Sequence, residues 1–392
     1  MTSNSTSEAG APSAPLSAPV PMYAFHPATT AWILTDSTSD MPRRQPNASP
    51  KKNLRIATLN VLADCFPWFV KLAIASKTRF AALVKEIERL DADVLGLNEV
   101  TPTVLQHLLQ CPFIQSNYYV SEVSDADRPA GVESTIRTHG CMMLTKYPVK
   151  SAALLMPERG VRRGAIIVTI RLPTGLVAFC SIHTIAYQTK ENKELRVKQL
   201  EHAANFCKAE LEAHRSSPDE PTGSIIMGDM NLHYKAEDAV VDHLNTVDLW
   251  AETHFGPSGD GDEGMTFDAI GNTMIPRYIP GEKRKMRLDR ILCTIGCPLA
   301  LIPGSPCRIW ANTPVDAKKQ IYLSDHFGLA IDMSCDPADQ QPSGMEGHPA
   351  VKAKLQANAA LPLEPLGFSR TKFAATLVPH SFFLAMRAVG LK

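Results

Sequence analysis

Residues 223–232 read Gly-Ser-Ile-Ile-Met-Gly-Asp-Met-Asn-Leu, an apolar run that stops on an acid and an amide. A short apolar run bounded by glycines suits a buried strand. Asp229 and Asn231 therefore sit where a strand leaves the core, a place where polar side chains close turns or do chemistry.

The same grammar recurs on both sides. Leu54–Asn60 is a predicted strand ending on Asn60, and Asp93–Leu97 is followed by Glu99. Leu176–Ile182 is followed by His183, Asp289 lies inside the run Leu288–Cys293, and Asp325 and His326 precede Phe327–Met333. Strand ends of packed sheets converge on one rim, so these residues can share a site. Singly, each has a plain structural role: Asn60 as a turn residue, Glu99 in the first turn of a helix, His326 as a packed imidazole. Their joint occurrence at strand ends is what argues for chemistry.

Between the runs lie helical patterns. Phe80, Leu83, Val84, Ile87 and Leu90 form one stripe within Lys77–Leu90, and Val197, Leu200, Ala204, Cys207 and Leu211 form another within Glu191–His214. Thr101 before Pro102 is an N-cap signal. Pro173-Thr174-Gly175 joins Ala165–Arg171 to Leu176–Ile182 as a hairpin, and Gly140–Thr145 is a further strand. The class is α+β, with a mixed sheet, or two packed sheets, covered by helices.

The polar set suits hydrolysis of a phosphate ester. That reaction needs charge neutralised on the phosphoryl oxygens and a water placed in line. Glu99 and Asn60 offer hard oxygen ligands for Mg²⁺, with Mn²⁺ as the alternative, and no zinc-type His/Cys cluster accompanies them. Asn231 and a protonated histidine can donate to phosphoryl oxygens. Asp229 can orient or deprotonate water, and Asp289 is the candidate partner that orients His326.

Composition sets the frame. Of 392 residues, 44% are hydrophobic and 20% charged, with formal net charge zero, which excludes a broadly basic nucleic-acid coating protein but not a local basic groove. Such a groove has a candidate in Arg277, Lys283, Arg284, Lys285, Arg287 and Arg290, with Phe267 to stack an end base. The nine cysteines form no Cys-x-x-Cys pair and read as reduced core thiols, as in a nuclear or cytoplasmic protein. No leader and no spanning helix is expected. Residues 1–50, rich in Ser, Thr, Pro and Ala, read as a disordered tail. The catalytic domain spans 51–334, and 335–392 reads as a linker and an apolar, basic tail. Phe373–Leu391 in that tail is the candidate membrane-surface element.

These motifs resemble the endonuclease/exonuclease/phosphatase superfamily. The matching pieces are Thr58-Leu59-Asn60, Leu97-Asn98-Glu99-Val100, Ser181-Ile182-His183, Gly228-Asp229-Met230-Asn231-Leu232, Leu288-Asp289-Arg290-Ile291 and Ser324-Asp325-His326-Phe327-Gly328-Leu329, in the family's order. The resemblance implies a four-layered α/β/β/α sandwich, with two mixed sheets packed between helices. It also implies that Glu99 and Asn60 hold Mg²⁺, Asp325 supports the metal region and Asp229 positions the water. Asn231, His183 and His326 would contact the phosphate, and Asp289 would pair with His326. Val247-Asp248-Leu249-Trp250, Thr266-Phe267-Asp268 and Lys285–Ile291 are similar to segments of the tyrosyl-DNA phosphodiesterase branch, which implies the 5′ end of DNA as partner and a role in DNA repair. Asn98 departs from the family's usual Gln. His233 stands where that branch has an Arg, which alters its phosphate clamp. The alternatives are a sphingomyelinase-like or inositol-phosphate hydrolase of the same superfamily, and a catalytically dead binding module; the latter would lack the metal carboxylate or the Ser-Asp-His triplet, both present here.

Overall fold

Alternation along the strands decides the layers. The computed structural model of the protein describes residues 16–35, 52–156, 164–255, 261–339, 347 and 349–359. Its strands are, in chain order, β1 (Leu16–Pro19), β2 (Tyr23–His26), β3 (Ala31–Leu34), β4 (Asn53–Asn60), β5 (Val94–Val100), β6 (Tyr119–Val120), β7 (Gly140–Thr145), β8 (Val149–Met156) and β9 (Ala165–Leu172). There follow β10 (Gly175–His183), β11 (Thr222–Asp229), β12 (Thr246–Asp248), β13 (Phe267–Asp268), β14 (Lys285–Met286), β15 (Asp289–Thr294), β16 (Ala300–Leu301), β17 (Arg308–Trp310) and β18 (Gly328–Ser334). One sheet has the order β1-β8-β9-β10-β11-β15-β12. The other runs β16-β18-β4-β5-β7-β6-β2-β3, with β17 also on β18.

In β4, Leu54 and Ile56 face the core between the sheets, where they meet Phe179, Ile225, Met227 and Ile291 of the first sheet. Ala57 and Leu59 face the opposite way, into a core with Phe80, Leu83 and Ile87 of the helix Ser76–Leu90 and Val104 and Leu108 of the helix Pro102–Leu109. The first sheet repeats the pattern: Ala178 and Cys180 turn outward onto Leu200, Ala203 and Cys207 of the helix Lys190–His214. The period of two in strands and 3.6 in helices thus builds the expected α/β/β/α sandwich of two mixed sheets. The sheets approach closely at Gly96, where a Cβ would lie 2.9 Å from Cβ of Ser181. Side-chain volume there would push the two site-bearing sheets apart.

Strand direction places the functional residues. β4 and β5 are parallel, as are β10 and β11, so Asn60, Glu99, His183 and Asp229 all lie at or beside C-terminal ends. β15 runs antiparallel to β11 and β18 antiparallel to β4, so Asp289, and Asp325 and His326 just before Gly328 of β18, enter the same rim from N-terminal ends.

The expected disordered tail over residues 1–50 is corrected for residues 16–35. β1 pairs with β8 and β2 with β6, each covering a strand whose other neighbour is already taken. Tyr23 is 1% exposed and Trp32 4%. Each strand is only four residues long, and the polar, Pro-rich composition around them conceals the few large apolar side chains that pay the ordering entropy. At the other end, a helix at Pro349–Ala359 stands within the expected linker and tail, and its Val351 enters the outer core of the first sheet. Residues 1–15, 36–51 and 360–392, including Phe373–Leu391, lie outside the described residues. Among the described residues no helix is long and apolar enough to cross a membrane. The cysteines of the chain are free thiols, seven of them buried.

Candidate active site

Asp229 is the centre of the rim. It ends β11, with His183 beside it on β10 and Asp289 beside it on β15. Its Oδ2 accepts from Nδ2 of Asn60 at 3.1 Å and lies 3.3 Å from Nε2 of His183 and 3.9 Å from Nε2 of His326. Its Oδ1 accepts from the backbone N–H of Asn231 at 3.0 Å. Its own N–H donates to Oδ1 of Asn98 at 2.9 Å, while Nδ2 of Asn98 donates to Oγ of Ser181 at 3.2 Å. Asn98 on one sheet thereby fixes Asp229 on the other.

His326 is oriented from behind. Its Nδ1 faces Oδ2 of Asp289 at 2.8 Å, and the N–H of Asp289 donates to Oγ1 of Thr266 at 3.1 Å. Burial disfavours a charged imidazole, but Asp289, then Asp325 and Asp229, outweigh it and hold His326 well above its ordinary pKa. The ring of Phe267 meets it edge-on at 5.5 Å. Ser324 Oγ donates to the carbonyl of Asn60 at 2.6 Å, which ties the Ser324-Asp325-His326 turn to the end of β4.

Glu99 lies at a register shift of β5, with φ of 60°, a strained conformation for a residue with a side chain. Leu62 (φ 56°) and Asn231 (φ 49°) share that conformation on the same rim. Oε2 of Glu99 accepts from the N–H of Ala63 at 2.9 Å, and Oε1 lies 3.9 Å from Nε2 of His183. Asp325, Asp64 and Glu99 all lie within electrostatic reach of the buried Arg79, whose pKa is pulled down to about 10 by burial against their opposing pull. Tyr278 donates its hydroxyl to Asp325. Arg79 and, on Asp64, Lys71 at 3.6 Å face these three carboxylates, and the oxygen donors of Glu99, Asn60 and Asp325 are of the kind a hard dication such as Mg²⁺ takes. A second grouping exists: atoms of Asp229, Asp289 and His326 lie within 4.8 Å of one another. There the Asp289–His326 hydrogen bond already uses a carboxylate oxygen and a ring nitrogen, and an imidazolium repels a cation, so Glu99, Asn60 and Asp325 are the better donor set.

With this geometry in view, a profile of the Endonuclease/Exonuclease/phosphatase family matches residues 57–326. The chain belongs to this family. Solved structures similar in fold include TDP2 of Caenorhabditis elegans, at 16% identity and TM-score 0.53, covering 72% of this chain and 74% of that one. TDP2 of D. rerio complexed with single strand DNA product is similar at 19% identity and TM-score 0.51, over 72% and 99%. The beta toxin of Staphylococcus aureus follows at 17% identity and TM-score 0.48, over 71% and 99%. No curated protein matches by sequence.

The rim thus gathers Asn60, Glu99, His183, Asp229, Asn231, Asp289, Asp325 and His326. The residues expected to bind substrate are placed differently. Phe267 is buried among Ala269, Ile275, Met286 and Leu288, so it supports His326 instead of offering an open face for a base. Arg284 is paired with Glu282, and Lys285 Nζ lies 2.9 Å from Asp268. Arg287 and Arg290 are buried on Asp248, and Arg290 on Asp238 as well. The basic stretch is thus largely neutralised: Arg284 by Glu282 two residues before it, and Lys285, Arg287 and Arg290 by acids farther off in sequence. Lys283 is exposed. His233 has both ring nitrogens buried without a hydrogen-bond partner. Burial first, then Arg196, hold its pKa down to about 3, which makes it a neutral ring and not an anion clamp.

Sequence reasoning gave no role to Asp64, Arg79 and Tyr278, and met Thr266 only within the Thr266-Phe267-Asp268 resemblance. Arg79 donates to the carbonyls of Val61, Leu62, Ile74 and Leu323, which ties the loop after β4 to the loop before β18. Its signal was a charged residue one position before Phe80 on an otherwise apolar stripe. For Asp64, the signal was an acid four residues beyond Asn60.

Proposed function

We propose that the chain is a Mg²⁺-dependent phosphodiesterase that cleaves its ester by in-line attack of water. The observation that carries this is Asp229 Oδ2, held by Asn60 between His183 and the Asp289-oriented His326. Glu99, Asn60 and Asp325 would hold the metal, which when bound neutralises phosphoryl charge and polarises the ester. Asp229 orients the attacking water and draws off its proton. The raised pKa of His326 keeps its Nε2–H available to a phosphoryl oxygen, with Asn231 and His183 as further donors.

For the substrate, the local resemblance to the tyrosyl-DNA phosphodiesterase branch supports the 5′ end of DNA, with a nuclear or cytoplasmic role in repair. Within the structure that reading keeps the exposed Lys283 as a contact. The sphingomyelinase-like reading gains from the exposed apolar residues of the helix Trp68–Ala73, on the loop whose Ala63 N–H holds Glu99. The test compares kcat/KM for a 5′-phosphotyrosyl oligonucleotide, sphingomyelin in vesicles and an inositol polyphosphate, each with Mg²⁺ and with EDTA. Metal-dependent turnover of at least one is expected, with the oligonucleotide fastest. Turnover that survives EDTA would sink the metal reading, and preference for a lipid would move the chain to that branch.

A further inference from the structure

The loop after Asn60 leads into the helix Trp68–Ala73, six residues in length. Val70 on it and Ile74 just after it point inward, to a cluster with Leu62, Met274 and Ile321. The opposite side carries Trp68 and Leu72, one turn apart, with Phe69 between them, at 76%, 73% and 44% exposure. Single exposed apolar residues are ordinary on a protein surface, but three contiguous ones on a rigidly anchored helix are not. The ring of Phe69 stands edge-on to Trp68 at 6.0 Å.

Cations frame this face. Lys71 is on the helix itself and Lys77 is exposed on the next. Arg277 donates to the carbonyls of Ala73 and Lys319, which sets its guanidinium and the exposed Lys319 at the helix C-terminus. Asp64, the acid nearest Lys71 at 3.6 Å, is buried. An apolar centre rimmed by lysine and arginine is the chemistry of a helix lying in the headgroup region of an anionic membrane. A nucleic-acid strand would satisfy the cations and stack on the aromatic rings, but it offers no apolar partner to Leu72.

The position matters as much as the chemistry. The helix follows Ala63, whose N–H donates to Oε2 of Glu99 at 2.9 Å, by five residues, and its Lys71 lies 3.6 Å from Asp64. We propose that the Trp68–Ala73 helix and its cationic frame seat the mouth of the active site on an anionic phospholipid surface. What the docked site then does rests on the phosphodiesterase reading. Docking itself is measured without turnover, so the two can fail separately.

The wild-type protein reports on this directly. Its other tryptophans, Trp32, Trp250 and Trp310, are buried, so a change in emission on adding vesicles belongs to Trp68. Phosphatidylcholine vesicles containing phosphatidylserine should float with the protein and shift its emission to the blue, while phosphatidylcholine alone does so weakly. The double variant Trp68→Ser, Leu72→Ser should lose at least tenfold in vesicle affinity, with its melting temperature and its turnover of bis(4-nitrophenyl) phosphate unchanged. Failure of the wild type to float at low salt overturns the proposal, and so does flotation without a change in emission. Equal vesicle binding by the double variant overturns it too, whether or not that variant has lost affinity for a single-stranded oligonucleotide.

Discussion

His326 shows how much of the site is decided by single side chains. An imidazole so buried would ordinarily be neutral, and the three carboxylates around it reverse that preference. Removing a charge or a proton-transfer role should therefore cost turnover and leave packing intact. Glu99→Gln, Asp229→Asn and His326→Ala are each expected to lower kcat on the order of 10²-fold or more. Steady-state kinetics beside a thermal melt checks this, and near-normal turnover in one variant removes that residue from the mechanism. His233 makes the opposite case. Its folded pKa of about 3 lies below the ordinary value, through burial, Arg196, Arg284 and His326 against Asp229. The unfolded chain therefore takes up a proton that the native state refuses as pH falls through about 6.5. The stability that His233 contributes is complete above that pH and is lost progressively toward pH about 3. His233→Gln should flatten the fall in denaturation midpoint between neutral and acid pH. Parallel slopes for variant and wild type would show that the ring is protonated in place.

At the scale of elements, the N-terminal strands carry the sharpest expectation. Deleting residues 1–48 removes β1, β2 and β3, uncovers an edge of β8 and of β6, and takes the buried Tyr23, Trp32 and Met22 with it. At about 1.5–3 kcal/mol for each fully buried large side chain, the loss is roughly 5 kcal/mol, a large share of the stability of a typical domain. The truncated chain is expected to melt far lower and to aggregate through its opened strand edges. A melt unchanged from full length would mean that these strands contribute nothing. The long strands and helices were legible in the sequence because alternation and helical stripes run far enough to be read: β4, β7, β9, β10, β11 and the helix Lys190–His214 fall within a residue or two of their expected bounds. Elements of four residues give no such run, so β1 to β3 were not. The residues at the rim were legible for a different reason, since an acid or amide that ends an apolar run stands out. The substrate side was not, because Lys285, Arg287 and Arg290 look free in sequence and only the fold brings Asp268 and Asp248 against them.

The whole molecule carries no net formal charge, yet it concentrates Asp64, Glu99 and Asp325 around Arg79. Gathering like charges costs stability, Arg79, Lys71 on Asp64 and the Tyr278 hydroxyl on Asp325 offset part of it, and a bound dication would offset more. A ligand that binds only the native state stabilises it by RT ln(1 + [L]/Kd), about 2.7 kcal/mol at a hundredfold excess over Kd. For a domain of this size that corresponds to a rise of about 5 °C or more in Tm. Mg²⁺ should therefore raise the melting temperature of the wild type, and this readout is independent of turnover. It also separates the two groupings of candidate ligands. If Glu99, Asn60 and Asp325 hold the ion, Glu99→Gln abolishes the rise while Asp289→Asn, which alters only the support of His326, retains it. If instead Asp229, Asp289 and His326 hold it, the outcomes exchange. The physical reason to expect the first result is that Asp289 already shares a hydrogen bond with His326, and a cation placed there would have to displace the proton that this carboxylate stabilises.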